Sequence, residues 1–172
     1  MKIILIVSIL LSTLYSYQLE NKLKVLIIGK VAKYISWPDT KENQEEFVIT
    51  ILKNSDGTIF DKIYHNKKIK HKPVTLKYID SIDELEETDI LFISSANNKN
   101  LPQILKTIET KEIFTVSDIR GFAEKGGMMQ IYFASQRVKL KINLDVTQKI
   151  NFKIKSSLLR IADVLRGTST NE

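Results

Sequence analysis

Apolar and polar positions follow two rhythms along this chain, one of period 3.6 and one of period 2, and their order outlines a fold. Between residues 22 and 36, "KLKVLIIGKVAKYIS" places Leu23, Ile27, Val31, Tyr34 and Ile35 on one side of a helix, with Gly29, Lys33 and Ser36 opposite. The "KVLII" core of that segment is also compatible with a strand. Trp37-Pro38 ends the element, because proline pushes the residue before it out of helical geometry. Four segments read as strands from their β-branched and apolar content: "EFVITIL" (46–52), "PVTLKYI" (73–79), "DILFIS" (89–94) and "IFTVSD" (113–118). The third is apolar throughout and is therefore expected at the centre of a sheet. Between them, "SDGTIFDKIYHN" predicts a turn and a short helix, and "NLPQILKTIET" a further helix. "SIDELEE" predicts a short helix with Ser81 as N-cap and Glu84 at capping-box spacing. Alternating strands and helices are the pattern of a parallel α/β sheet.

After residue 127 the rhythm changes. "MMQIYFAS" and "QRVKLKINL" predict two strands joined near Ser135-Gln136. Val138, Leu140, Ile142 and Leu144 alternate with Arg137, Lys139, Lys141 and Asn143, as expected of an antiparallel edge hairpin with one packed and one solvated face. "SSLLRIADVLRG" then predicts a helix with Leu158, Ile161, Ala162 and Leu165 on one face and Gly167 as its C-cap. The expected class is α/β, a mostly parallel central sheet flanked by helices, with an antiparallel C-terminal hairpin.

The first residues belong to neither rhythm. Lys2 precedes "IILIVSILL", an apolar run much shorter than the roughly 20 residues that span a bilayer. A positive start, a short apolar core and small residues after it predict a secretory signal peptide over residues 1–16, cleaved after Ser16 despite Leu14 at a position that prefers a small residue. The competing reading is a buried N-terminal strand. Export predicts a periplasmic protein, with one domain over 20–167 and a disordered tail over 168–172. Cleavage would remove only Lys2 among the charges, leaving a mildly basic chain (+6 before cleavage). With no cysteine anywhere, neither a disulfide nor a thiolate site is open to it.

Chemistry changes the picture little. His65 and His71 lie in "KIYHNKKIKHK", whose five lysines and absent acids suit neither a general base nor a metal site and read as a solvated basic face. No G-x-S-x-G elbow, phosphate loop or dinucleotide fingerprint is present. An enzyme is therefore not expected, nor a cofactor, a metal or nucleic acid. The basic run 62–77 gives way to "DSIDELEETD" (80–89), six acids with no base, which reads either as solubilising charge or as a protein-binding surface.

One stretch stands apart. "TVSDIRGFAEKGGMMQIYF" (115–133) begins and ends as strand and holds a polar, glycine-rich linker from Asp118 to Gly127, longer than a hairpin needs. Gly121, Gly126 and Gly127 are expected to supply backbone conformations closed to other residues. Phe122 is expected to tuck beneath as an apolar anchor, leaving Asp118, Arg120, Glu124 and Lys125 near the surface. Those five residues, with Arg137, are the candidate binding residues for a partner or ligand. The alternative is a purely structural connection in which Asp118 caps local amides.

Four motifs in order, "VAKYISWP", "TVSDIRGFAEKGGMMQIYF", "RVKLKINL" and "SSLLRIADVL", resemble the YfiR (HmsC-like) family of periplasmic proteins over roughly residues 20–166. Tyr34, Trp37 and Pro38 fit that family's helix-ending aromatic-x-x-Trp-Pro. Met129 stands where isoleucine is commoner, Arg137, Val138, Ile142 and Asn143 fit the next motif, and Ser156, Ser157, Leu159 and Ala162 the last. The resemblance implies an α/β sandwich, often dimeric, that represses a membrane-bound diguanylate cyclase through the partner's periplasmic domain and so lowers cyclic di-GMP and restrains biofilm. Other members implied by the resemblance serve as input modules of membrane signalling proteins. Disulfides that tie some relatives to redox state are impossible here. A small-molecule-binding sensory module, with its pocket beside the 118–127 loop, is the alternative.

Overall fold

The computed structural model describes residues 18–38, 44–53, 57–135 and 137–167. The expected signal peptide and the expected disordered tail lie outside them. Residues 18–32 form helix α1, followed by β1 (Ile35–Ser36), β2 (Phe47–Leu52), α2 (Gly57–Tyr64), β3 (Lys68–Ile69) and β4 (Lys72–Ile79). Then come β5 (Ile90–Ile93), α3 (Leu101–Ile108), β6 (Phe114–Ser117), β7 (Met129–Ala134) and β8 (Arg137–Asn143). The chain closes with α4 (Leu144–Lys149), β9 (Lys153–Ile154), α5 (Ser156–Leu159) and β10 (Asp163–Leu165). The fold is α/β.

Eight strands make one sheet in the order β10-β8-β7-β6-β5-β2-β4-β3, and β1 pairs with β9 in a second, two-stranded antiparallel sheet. From β4 to β7 the neighbours in the large sheet are parallel, while β3–β4 and β7–β8 are antiparallel. Period-2 alternation divides the interior. Ile49, Ile51, Ile90, Phe92, Phe114, Val116, Met129 and Ile131 face α1 and α2 on one side. Leu52, Leu91 and Ile93 face α3 and the 118–127 loop on the other. Ser81 caps a single 3-10 turn (Ile82–Glu84) with the complete capping box that its spacing predicts.

Helix α1 differs from its expectation in face and in length. Its buried apolar positions are Val25, Ile28, Val31 and Ala32, with Leu23 and Ile27 only half-buried and Tyr34 exposed. Gly29, expected opposite the core, turns toward it, because a tyrosine from α2 enters the helix there. The Tyr64 hydroxyl accepts the Gly29 N–H at 2.8 Å and donates to the Val25 carbonyl at 2.6 Å, joining a donor and an acceptor that are normally each other's partners. A Cβ on residue 29 would meet the Tyr64 ring at 2.9 Å. The helix stops at residue 32, and Ile35–Ser36 become strand because β9 offers them an antiparallel partner. That turn delivers Trp37 into a cluster with Phe47, Phe114 and Phe152 at centroid distances of 5.3, 6.2 and 5.8 Å, while its indole N–H donates to the Asp89 carbonyl at 3.2 Å. Pro38 is buried beside it.

The carboxyl-terminal helix is the larger correction. Helix α5 covers only Ser156–Leu159, capped at Arg160, and Asp163–Leu165 pair in parallel with Lys141–Asn143 of β8. Ile161 is 72% exposed instead of facing a core. Gly167 caps no helix; its N–H donates to the Asp145 carboxylate. The β7–β8 hairpin is antiparallel, but β10 covers what would have been its free edge. An open edge carries a row of unpaired N–H and C=O groups, and satisfying them outweighs the helical periodicity of so short a segment. Helix α4, whose N-cap is the Asn143 side chain on the Val146 N–H at 3.1 Å, has no counterpart among the expected elements.

Candidate functional site

The segment 118–128 joins β6 to β7, two adjacent parallel strands, without a helix. Parallel neighbours normally require a crossover of about a dozen residues, usually helical. Here the strand's own polar positions hold both ends. Ser117 Oγ accepts the Ile119 N–H at 3.0 Å while donating to the Ile93 carbonyl, and Thr115 Oγ1 accepts the Met128 N–H at 3.0 Å. Alternation places Thr115 and Ser117 on one face, so the "TVS" pattern becomes two hydroxyl clamps. Ser117, not Asp118, caps the local amides.

Between the clamps the loop crosses the sheet face. Gly121 and Gly126 adopt φ of +74° and +101°, the left-handed region that favours glycine. Phe122 is fully buried with Ile119 against Leu91 and Ile93. Gly127 has no positive φ; its constraint is steric, since a Cβ there would sit 2.1 Å from the Phe122 ring. Asn143 ties the loop to its surroundings by donating to the Ala123 carbonyl at 2.9 Å while capping α4.

The candidate binding residues separate into groups. Arg120, Glu124 and Lys125 lie exposed on the outer surface of the loop. Glu124 pairs with Lys141 on β8, and that hydrogen bond holds its carboxyl below the usual range. Lys141 also lies over the Tyr132 ring, 5.8 Å from its centroid, and Tyr132 donates to Asp163 of β10. Asp118, expected near the surface, is 17% exposed and bound to Lys24 of α1 at 2.8 Å; its Oδ1 is buried with no partner among the described residues. Phe122 is an interior anchor and cannot itself meet a partner. Arg137 sits at the hairpin tip, four residues along β8 from Lys141, or about 13 Å at strand rise, and so apart from the loop. Ser156 is exposed and Leu159 half-buried against the main core.

Open α/β sheets bind ligands where the strand order reverses. That point lies between β2 and β5, not at β6, and the chain fills it: Asn97 donates to the Leu52 carbonyl at 3.0 Å and is 2% exposed. The cavity beside the loop is elsewhere. About 250 Å³ in volume, it is walled by Leu105 and Ile108 of α3, Ile113, Thr115, Met128, Val146 of α4 and Ile150 just after it, with Gly126 on its loop side. Lys106, Glu109, Lys125 and Lys149 stand around it. Glu109 pairs with Lys149 at 2.7 Å, which lowers the Glu109 carboxyl pKa. Lys125 stood out in the sequence and Lys106 only as a polar position of the predicted α3 helix, while α4, which supplies Val146 and Lys149, had no predicted counterpart. Among the described residues no group of three His, Asp or Glu converges as a metal site, and no helix is long and apolar enough to cross a membrane.

The YfiR/HmsC-like family profile matches residues 21–163. The chain belongs to that family. Its members are regulatory rather than catalytic and are periplasmic in general. No curated protein matches the chain in sequence. Among solved structures it is similar to an ABC domain of Streptococcus pneumoniae in complex with L-Trp, with a TM-score of 0.62 and 11% identity over 83% of this chain. It is also similar to a conserved domain protein of Vibrio cholerae O1 biovar El Tor, with a TM-score of 0.61 and 8% identity over 83% of the chain. The match spans 60% of each of those chains, and at such identities the likeness is one of fold alone.

Proposed function

We propose that this protein is a periplasmic regulatory binding protein, exported through residues 1–16 and acting as one domain over 20–167. In this reading it represses a membrane-bound diguanylate cyclase by docking on the partner's periplasmic domain, as a monomer or a homodimer. Membership of the YfiR/HmsC-like family over 21–163 is the observation that carries it. The loop supplies a surface suited to the task. Arg120, Glu124 and Lys125 are presented outward by a segment clamped at both ends and plugged by Phe122, so a partner would meet charges already held in place. Pull-down of mature protein from solubilised membranes is expected to capture a cyclase with a periplasmic domain. Recovery of no membrane signalling protein would overturn the reading.

The second reading, a small-molecule module beside the 118–127 loop, is supported by the cavity between α3, α4 and Gly126. The two readings are compatible, since a ligand that binds one state of the loop better shifts the population that the partner meets.

A further inference from the structure

The walls and rim of the α3–α4 cavity differ in chemistry, and the difference specifies an occupant. The walls are aliphatic: Leu105, Ile108, Ile113, Val146 and Ile150, with the Met128 thioether, and the lining contains no aromatic ring. The rim is cationic. Glu109 pairs with Lys149 and also feels the charge of Lys106, but it is the single carboxylate of a lining that holds Lys106, Lys125 and Lys149, so the rim keeps an excess of positive charge. Lys125 donates to the Arg120 carbonyl at 3.4 Å.

Two further features point inward. Thr115 is 4% exposed, and its oxygen accepts the Met128 N–H, yet its own hydroxyl proton goes to no acceptor among the described residues. Gly126 adopts φ +101°, and a Cβ built on it would have Leu105 Cδ1 as its nearest neighbour, at 4.0 Å. The loop thus passes the cavity at a residue without a side chain and leaves the space unfilled.

We infer that this cavity is a binding site for a small aliphatic monocarboxylate, its chain against the α3 and α4 side chains and its carboxylate at Lys106 and Lys125. The inference rests on the small-molecule reading above and names its ligand class. Charge sets the selectivity. A zwitterion or an amine would bring an ammonium among lysines, and a neutral amide would forgo the charge-assisted hydrogen bonds. At about 250 Å³ the space suits a metabolite-sized chain rather than a drug-sized ligand.

The test is calorimetric titration of the mature chain with octanoate, octanamide and octylamine at neutral pH, repeated on Val146→Phe, which fills the cavity, and on the double variant Lys106→Gln/Lys125→Gln. Thermal melts of each variant establish folding. The expected result is saturable octanoate binding, weakened about tenfold or more for octanamide and absent for octylamine. Val146→Phe is expected to abolish octanoate binding, and the double lysine variant to bring octanoate down to the octanamide level. Equal binding of octanoate and octanamide, with both lost in Val146→Phe, would overturn the ligand class and leave the pocket reading standing. Octanoate binding unchanged in Val146→Phe would overturn the site. Should Val146→Phe melt without a cooperative transition, Ile150→Phe takes its place with the same readout. Binding of none of the three probes would overturn ligand class and pocket reading together.

Discussion

Two connections on the same face of the sheet do the same topological job by different means. Helix α3 leads from β5 into β6, and the 118–128 loop leads from β6 into β7; both strand pairs are parallel. Both connections pack against Leu91 and Ile93. The helix buries Leu101, Ile104 and Ile108 along one side and satisfies its backbone internally. The loop contributes Ile119 and Phe122 to that cluster; turn hydrogen bonds such as Lys125 N–H to the Gly121 carbonyl and Gly127 N–H to the Phe122 carbonyl satisfy part of its backbone, and Ser117, Thr115, Asn143 and two left-handed glycines hold the rest. A helical crossover tolerates the loss of one contact because its hydrogen bonds repeat along its length, whereas the loop's irregular turns depend on its ends being held. The loop concentrates its stability in a few residues, which leaves its outer surface free to carry charge of any pattern.

The comparison breaks first at Phe122. Phe122→Ala is expected to cost about 3–5 kcal/mol, as large aromatic truncations in cores do. Hydrogen exchange should then rise across 118–128 while α3 stays protected. The matching change in the helix, Ile104→Ala, is expected to cost about 2–5 kcal/mol without local deprotection of the loop. Equal deprotection of both segments in both variants would show that they form one cooperative unit.

Gly127→Ala comes next. Its Cβ would fall within the Phe122 ring, so a loss of about 1–3 kcal/mol is expected from overpacking, measurable by denaturant melts. Gly121→Ala, strained only by its φ of +74°, should cost about 1 kcal/mol. The reverse order would mean that conformation, not the buried ring, is what glycine serves here.

Surface changes sharpen the functional half of the comparison. Arg120→Ala and Glu124→Ala are each expected to change stability by no more than about 0.5 kcal/mol, yet, if the proposed repression of a cyclase runs through this loop, to derepress that partner in cells. Normal repression by both variants would reduce the loop to a connection.

The smallest effect concerns pH. The hydrogen bond from Lys141 depresses the Glu124 pKa in the folded protein. The stabilisation this brings is present above the unfolded glutamate pKa and is lost as pH falls through the lower folded value. Because Glu124 is largely exposed, solvent screening keeps the effect small. Carbon-detected NMR titration should show Glu124 titrating below the ordinary glutamate range, and Lys141→Gln should restore the ordinary value.

Local pattern was enough to determine much of this protein. The β-branched runs at 47–52, 90–93 and 114–117, the capping box at Ser81 and Glu84, and the alternation over 137–143 each follow from interactions within a few residues, so their elements stand where the sequence places them. The positive φ of Gly121 and Gly126 and the burial of Phe122 were legible for the same reason: glycine has no Cβ to forbid the turn, and an aromatic in a polar loop has little reason to be elsewhere. Tertiary structure decided what depends on distant partners. Asp163–Leu165 are strand because β8 had an edge to fill. Asp118 is half-buried because Lys24 of α1, 94 residues earlier, meets it, and Gly29 faces inward because the Tyr64 hydroxyl accepts its N–H. The cavity exists only where α3, α4 and the loop converge, and no single segment carries a signal for it.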